Sequence, residues 1–367
     1  MTGQPAALAG TRTLLESWAE AGSSLGAQVA VYQAGTPIAD FATGQSAPGG
    51  RASTADVGRL YCAAKPLTAC CVARAVDLGL CAVDDAVGKY LPAFDRGRRQ
   101  SVTLRGLMSH TSGLPDLMHA DPYGHQAGWV LAAASELEFP DRFWYRKPHY
   151  NNTSAWYVLA AVVERLYDQP LDDVVREQVG KPLGLSDLAF TQDERNHFAD
   201  CYQFRGNAVI ALPGPDHHQL FRDVNPAHGG FGSARSLGAL FVELNRCVRG
   251  AGDLISTPVA REFVRRQADV EIPGGHGDHP YGLGFFLDVG RSWVGGGWAE
   301  RSFGHHGFVG RQAVVGAFAD PDADVVLSIR LFSAGPRNNW MFHRIGQEVW
   351  SDLGLSANHD RERAAST

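Results

Sequence analysis

Residues 60–69 read Leu60-Tyr61-Cys62-Ala63-Ala64-Lys65-Pro66-Leu67-Thr68-Ala69. The thiol of Cys62 precedes the amine of Lys65 by three residues, a spacing that makes them neighbours on a helix. Pro66 is tolerated in a first helical turn, so the pattern predicts a helix that starts close to Cys62. A helix N-terminus and an ammonium both favour the thiolate, the reactive form of cysteine. Taken alone, the stretch fits a nucleophile or a small core cysteine beside a lysine that reaches solvent.

Composition narrows the class of protein. The chain has 367 residues and a formal net charge of -6, which gives no reason to expect nucleic acid or a membrane surface as a partner. The sequence shows no apolar run of membrane-spanning length and no signal-peptide pattern, so we expect a cytoplasmic protein. Six scattered cysteines without a C-x-x-C pair predict neither a disulfide framework nor structural zinc. We expect no metal or organic cofactor.

Strand patterns occur at both ends of the chain, and helical patterns fill the middle. Residues 28–32 and 37–42 predict one hairpin, and residues 312–318 and 325–331 predict another. This order predicts an α/β fold, with an antiparallel sheet built from both chain ends, terminal helices flanking it and an inserted all-helical subdomain. We assign a discontinuous sheet domain to residues 1–80 and 230–358, a mostly helical subdomain carrying Tyr150 to residues 81–229, and a frayed tail to residues 359–367.

Residues 187–225 show little periodicity, and we expect long loops there. Three histidine-containing stretches lie in loops rich in Gly, Pro and Asp, without the spacing of a metal site, and solvent exposure is expected for His217-His218, His276 and His279.

Three motifs follow one another along the chain: Cys62-Ala63-Ala64-Lys65, Tyr150-Asn151-Asn152 and His305-His306-Gly307. Their order and spacing resemble the serine β-lactamase superfamily, in particular class C β-lactamases and their esterase, D-aminopeptidase and transacylase relatives. That superfamily carries S-x-x-K, Y-x-N and K-T-G or H-x-G. The flanking residues 107–115 and 281–284 are similar as well. The resemblance covers nearly the whole chain and implies a β-lactamase/transpeptidase-like fold.

The resemblance also implies a role for each motif residue. Cys62 would be the nucleophile, and Lys65 would take up its proton or balance its charge. Tyr150 would move a proton to the leaving group and from the incoming acceptor. Asn152 would hold Lys65 and a polar group of the substrate. His305 would stand beside the cleft, where β-lactamases have a lysine.

Further groups complete this implied site. The backbone N–H groups of Cys62 and Phe308 would form the oxyanion hole, and His306, Gly307 and Trp298 would contact the substrate. Trp293 and Trp298 are suited either to an apolar acyl pocket or to the core. Acyl transfer requires such a set, because it needs a nucleophile, a proton relay and donors for the developing oxyanion.

Two departures from the superfamily pattern affect the predicted chemistry. Cysteine replaces the nucleophilic serine, and three interpretations remain open: a working cysteine nucleophile, a catalytically silent ligand-binding protein, or a serine esterase altered from Ser to Cys. His305 replaces a lysine, and histidine offers a weaker, pH-dependent charge for a substrate carboxylate. A neutral ester or thioester is therefore a better substrate than a β-lactam.

The leading hypothesis is an acyltransferase or ester/thioester hydrolase that works through an acyl-Cys62 thioester. Its partners would be a small-molecule acyl donor, free or carrier-bound, and an acceptor that is an amine, an alcohol or water. The sequence leaves the oligomeric state open.

Overall fold

The computed structural model describes residues 8–117, 127–192, 201–205, 208–212, 224–272 and 277–355. The helices are α1 Ala9–Glu20, α2 Lys65–Asp77, α3 Leu104–Met108, α4 Ala127–Glu136, α5 Ser154–Tyr167, α6 Leu171–Val175, α7 Lys181–Leu183, α8 Ala234–Arg249, α9 Thr257–Phe263 and α10 Asn338–Asp352. The strands are β1 Gly26–Gln33, β2 Thr36–Ala47, β3 Gly50–Arg51, β4 Gly58–Arg59, β5 Cys201–Arg205, β6 Ala208–Leu212, β7 Phe231–Gly232, β8 Ala268–Glu271, β9 Asp278–Tyr281, β10 Phe286–Leu287, β11 Phe303–Val309, β12 Gln312–Asp320, β13 Val325–Leu331 and β14 Ser333–Ala334.

The main sheet joins the two ends of the chain. Its strand order is β3-β2-β1-β13-β12-β11-β10-β9-β8, and β1 pairs with the late strand β13 in antiparallel register. The predicted hairpins correspond to β1–β2 and β12–β13. The α/β fold built from both chain ends is therefore confirmed.

Helices cover both faces of this sheet. Successive side chains of a strand point to opposite faces, and here both faces carry apolar side chains that the helices bury. Val29 and Val31 of β1 pack in one apolar cluster with α1 and α10, whereas Ala30 and Tyr32 pack in the other cluster with α2 and α8. The second cluster continues into the helical part of the chain, where α5 contributes a fully buried Trp156. Helix α2 thus lies between the sheet and the helical part, which places its N-terminal end where the two meet.

The middle segment is not entirely helical. This corrects the prediction of an all-helical subdomain and the prediction of long loops over residues 187–225. Strands β5 and β6 form a hairpin within residues 187–225, for which loops were predicted. Ser333 and Ala334 of β14 pair in parallel with this hairpin at Tyr202 and Gln203. A short strand of this kind gains its stability from a partner more than 120 positions away in the sequence, so local periodicity does not reveal it. The domain limits stay a prediction.

No helix in the described ranges is long and apolar enough to cross a membrane.

Candidate active site

Cys62 lies in a single 3₁₀ turn, Tyr61–Ala64, which leads directly into α2. Pro66 occupies the first turn of α2, as the sequence predicts. Tyr61 has a left-handed backbone with φ of 52°, a strained conformation for a bulky side chain. Such strain persists only where the surrounding structure holds it, and it is common at functional sites.

The backbone before this turn is held by one buried cation on β13. The Arg330 guanidinium donates hydrogen bonds to the carbonyl oxygens of Arg59 at 3.0 Å, Gly58 at 3.0 Å and Gly232 at 2.7 Å. Burial lowers the pKa of Arg330 to about 10, so the group remains charged at neutral pH. Because Gly58 also pairs with Gly232 through β4 and β7, the segment leading to Cys62 is fixed to the sheet.

Residues that are distant in the sequence meet at the Cys62 side chain. The thiol is close enough to Lys65 and to Tyr150 for hydrogen bonding to alter the pKa of each. Asn152 Oδ1 lies 4.0 Å from Cys62 Sγ, and Lys65 Nζ lies 5.4 Å from the centre of the Tyr150 ring. A thiol, an amine, a phenol and an amide therefore form one cluster.

Lys65 is completely buried at the base of this cluster. Burial lowers its pKa, while the nearby Cys62 and Asp116 side chains favour its charged form. Its Nζ donates a hydrogen bond to the carbonyl oxygen of Ala227 at 2.7 Å. A buried amine with a lowered pKa can exchange a proton nearer to neutral pH than an exposed lysine can.

The role of Asn152 in holding Lys65 stays a prediction, and the described contacts of the two side chains are with other groups. Within the described residues, the amine bonds to Ala227, whereas the Asn152 amide oxygen faces the thiol. The backbone N–H groups of Asn152 and Thr153 donate to the Asp116 carboxylate at 2.8 and 3.0 Å. Asp116 thus fixes the start of α5, and burial raises the pKa of this carboxyl group.

His305 is buried and makes three polar contacts that define its state. Its Nδ1 faces the carbonyl oxygen of His306 at 2.9 Å, so Nδ1 carries the proton and Nε2 is the acceptor. The hydroxyl of Tyr281 lies 3.1 Å from Nε2, and the hydroxyl of Tyr150 lies 3.4 Å from it. Burial, followed by the effects of His306 and Lys65, lowers the pKa of His305 well below its usual value. His305 is therefore a neutral acceptor and does not supply the positive charge of a lysine.

Tyr150 is the phenol that links Cys62 with His305. Burial raises its pKa well above the usual value, and the nearby Cys62 adds to this shift. Its ring is held between Phe286, with centroids 5.7 Å apart, and His110, with centroids 4.4 Å apart. His110 also accepts a hydrogen bond at Nδ1 from the backbone of Asn151, so it fixes the neighbouring main chain as well. Tyr150 is a neutral proton donor at physiological pH.

Strand β11 approaches the Cys62 turn very closely at Gly307. A Cβ atom at this position would lie 2.3 Å from the carbonyl oxygen of Leu60 and 2.8 Å from Cβ of Tyr61. The pairing of β11 with β12 shifts between Gly307 and Phe308, and bulges of this kind redirect the backbone near active sites. The oxyanion-hole role of the Cys62 and Phe308 N–H groups stays a prediction that this close approach supports.

The two neighbouring tryptophans occupy different environments, which corrects one prediction. Trp298 is 1% exposed and packs against Trp350 of α10, with ring centroids 4.6 Å apart, so it belongs to the core. Trp293 instead lines a cleft of about 480 Å³ together with His306 and Phe308. We call this the outer cleft.

Sequence reasoning missed three contributors to the site: Asp116, Tyr281 and the Ala227 carbonyl oxygen. Asp116 directly follows the recognised stretch that ends at Pro115, and Tyr281 opens the recognised Tyr-Gly-Leu-Gly stretch. Both could have been proposed from their positions beside these motifs. A backbone carbonyl has no side-chain signature, so the sequence offers no signal for Ala227.

The remaining histidines show no metal site in the described part of the chain. His279, predicted to be exposed, is partly buried and stacks on Trp293, with centroids 4.8 Å apart. Its Nδ1 lies 3.1 Å from the Ser292 hydroxyl. His217, His218 and His276 lie outside the described residues, as does the predicted frayed tail.

Comparison with protein families gives a match to the family described as Beta-lactamase over residues 12–340. Among curated proteins, the chain is 32% identical over 182 residues to esterase EstB of Burkholderia gladioli, covering 44% of this chain and 46% of that protein. It is 29% identical over 161 residues to monacolin J acid methylbutanoyltransferase of Aspergillus terreus, covering 37% and 38%. Each alignment spans less than half of the relative.

Solved structures share the fold over nearly the whole chain. A penicillin-binding protein homologue from Caulobacter crescentus superposes with a TM-score of 0.79 at 22% identity, covering 96% of this chain and 99% of that one. EstCE1, described as a hydrolase with promiscuous acyltransferase activity, gives a TM-score of 0.71 at 18% identity, covering 95% and 98%. At these identities the likeness shows the fold alone.

Proposed function

Because the chain belongs to the beta-lactamase family, we propose that it is an acyl-transfer enzyme with Cys62 as its nucleophile. The observation that carries this proposal is the convergence of the Cys62 thiol with Lys65 and Tyr150 in one buried cluster. An esterase and an acyltransferase among the relatives support the same class of reaction.

In the proposed first step, Lys65 takes the thiol proton and Cys62 attacks the acyl carbonyl as the thiolate. The lowered pKa leaves more of the buried amine unprotonated near neutral pH than in an exposed lysine, so it can accept this proton. Tyr150 then donates a proton to the leaving group as the carbonyl–leaving-group bond breaks. The product is an acyl-Cys62 thioester, and Lys65 returns a proton to the tyrosine. No redox partner is required, because bonds are exchanged without oxidation.

In the second step, water or an acceptor hydroxyl or amine attacks the thioester. Its proton passes through the Tyr150 hydroxyl to the neutral amine of Lys65, since the lowered pKa of His305 makes that ring a poor proton acceptor. The Cys62–acyl bond breaks, and the sulfur regains its proton through Lys65. Of the two outcomes, we favour transfer to an acceptor molecule.

The choice of cysteine defines the preferred donors. A thiolate exchanges with a thioester in a nearly balanced reaction, whereas forming a thioester from an amide is uphill. A neutral His305 also offers no fixed charge for a substrate carboxylate. The proposed donors are therefore uncharged thioesters and activated esters of small molecules rather than amides or β-lactams.

The test is intact-mass measurement after incubation with a panel of acyl thioesters and p-nitrophenyl esters. We expect one acyl adduct, mapped to Cys62, that is lost in Cys62→Ala. Cys81→Ala is the matched control, because it removes another buried cysteine outside the cluster and should keep the adduct. Tyr150→Phe should form the adduct more slowly.

Absence of an adduct across the panel would contradict the proposal. If ligands also bind equally to wild type, Cys62→Ala and Tyr150→Phe without turnover, the chain is a ligand-binding protein. A Cys62→Ser variant that hydrolyses esters faster than wild type would instead favour a serine esterase altered at this position.

A further inference from the structure

The outer cleft lies on the face of β11 that points away from His305. Side chains alternate along a strand, so His305 faces the Cys62 cluster while His306 lines the cleft. Cys62, Lys65 and Tyr150 do not line it. The cleft nevertheless includes Phe308, whose backbone lies in the bulge beside the Cys62 turn. It is therefore a separate cavity that borders the proposed site of acyl transfer.

The cleft contains buried polar atoms that lack hydrogen-bond partners among the described residues. His306 is 1% exposed, and neither of its ring nitrogens has a hydrogen-bond partner on another described residue. The indole N–H of Trp293 and the side-chain oxygen of Gln312 are in the same condition. A buried polar group without a partner costs stability, so several of them around one cavity indicate a site that a ligand completes.

Aromatic rings form much of the cleft wall. The His306 ring meets Trp293 edge to face, with centroids 3.8 Å apart, and lies 4.3 Å from the ring of Phe308. Phe342 of α10 lines the cleft as well. Flat apolar faces of this kind favour a flat ligand, which can stack against them or meet their edges.

The charge of the lining residues indicates which ligands fit the outer cleft. Burial lowers the pKa of His306 to about 3 and also lowers the pKa of His279, so both rings are neutral at physiological pH. Among the described residues no Asp or Glu lines the cavity, and Arg311 lies at its exposed rim. A cation therefore finds no opposite charge among the residues described at the cleft. A neutral imidazole offers one donor and one acceptor, so its complement is a group that both donates and accepts a hydrogen bond.

We propose that the outer cleft binds an uncharged aromatic group bearing a carboxamide or hydroxyl, and that this group is a non-reacting part of the substrate. The assignment to the substrate rests on the proposed function, whereas binding in the cleft does not. Phe308 connects the two, because its ring lies in the cleft and its backbone borders the Cys62 turn.

Three probes with the same ring test the chemistry: benzamide, benzoate and benzylammonium. Ligand-observed NMR titrations would use the Cys62→Ala chain, so that no covalent reaction interferes. We expect benzamide to bind most tightly. His306→Leu should weaken benzamide binding about tenfold, because the leucine leaves the ligand's polar group unpaired. His306→Gln is the matched control, since glutamine retains a donor and an acceptor, and it should stay within about threefold of the parent.

Trp293→Phe provides a second test if His306→Leu does not fold, because it removes only the indole N–H and keeps an aromatic wall. Loss of benzamide affinity in Trp293→Phe, together with retained affinity in His306→Gln, would support ligand binding in the outer cleft. Equal binding of all three probes, or unchanged benzamide affinity in His306→Leu and Trp293→Phe, would overturn it. Formation of the acyl-Cys62 adduct without benzamide binding would refute only the proposed ligand binding in the outer cleft. Benzamide binding without any adduct in wild type would refute only the proposed function.

Discussion

Gly307→Ala tests whether the close approach of β11 to the Cys62 turn supports the proposed reaction. The added Cβ would lie 2.3 Å from the Leu60 carbonyl oxygen, whereas ordinary contacts begin at 3.4 Å. The obstructing atom belongs to the backbone, so no side-chain rotation relieves the clash. The strand and the turn must therefore separate by about 1 Å, the scale at which misplaced reacting groups lose on the order of a hundredfold in rate.

The assay is the second-order rate of Cys62 acylation, followed by intact mass over time with one activated thioester. We expect Gly307→Ala to react about a hundredfold more slowly than wild type, equivalent to roughly 2.7 kcal/mol of activation free energy. Overpacking should also reduce the free energy of unfolding by about 1–3 kcal/mol. Gly50→Ala is the matched control, since it is also a strand glycine and its added Cβ would meet nothing closer than 3.6 Å.

A folded Gly307→Ala protein that acylates within about threefold of wild type would refute this reasoning. Such a result would mean that the geometry between β11 and the Cys62 turn is unimportant for the reaction. A similar loss of rate in Gly50→Ala would show that the effect is general loosening of the sheet.

Two further predictions concern the histidines of β11. Tyr281→Phe removes the hydroxyl 3.1 Å from His305 Nε2, which leaves the Tyr150 hydroxyl as the described donor to this nitrogen. We expect acyl-Cys62 to be released about tenfold more slowly, measured by the decay of the adduct. Unchanged release would count against a positioning role for Tyr281. The second concerns pH: folding holds His306 neutral, with its pKa lowered from 6.5 to about 3, so the unfolded chain binds more protons as pH falls through this window. Stability should therefore be fully present above pH 6.5 and fall with acidification. Urea unfolding between about pH 4 and 6 gives the free energy of unfolding as a function of pH. The slope of this free energy should be smaller in His306→Gln than in wild type by up to one proton, or about 1.4 kcal/mol per pH unit. Parallel slopes in the two proteins would contradict a neutral His306 in the folded state.

The local sequence pattern was sufficient to predict the helices and strands that show strong apolar periodicity. The β1–β2 hairpin lies at the predicted residues, and α1 and α10 are the predicted terminal helices, because each element buries one face in the core. The hairpin of β5 and β6 was missed, since its pairing with β14 is set by distant residues.

The candidate site divides in the same way. The motif pattern was enough to select Cys62, Lys65 and Tyr150 as one set, because each carries reactive or proton-carrying chemistry that is visible in its side chain. It was not enough to find the Ala227 carbonyl oxygen beside Lys65, since every residue has such a group and only folding selects one.

The chemical state and direction of each group depended on long-range packing. The sequence placed a histidine at position 305, but three buried contacts make it a neutral acceptor. The same holds for the tryptophans: Trp298 packs on Trp350 while Trp293 lines the outer cleft, although only four residues separate them. Residue type and order determined which chemistry is available here. The packing of β11 and α10 determined where it points, because burial and direction arise from contacts between segments that are remote in the chain.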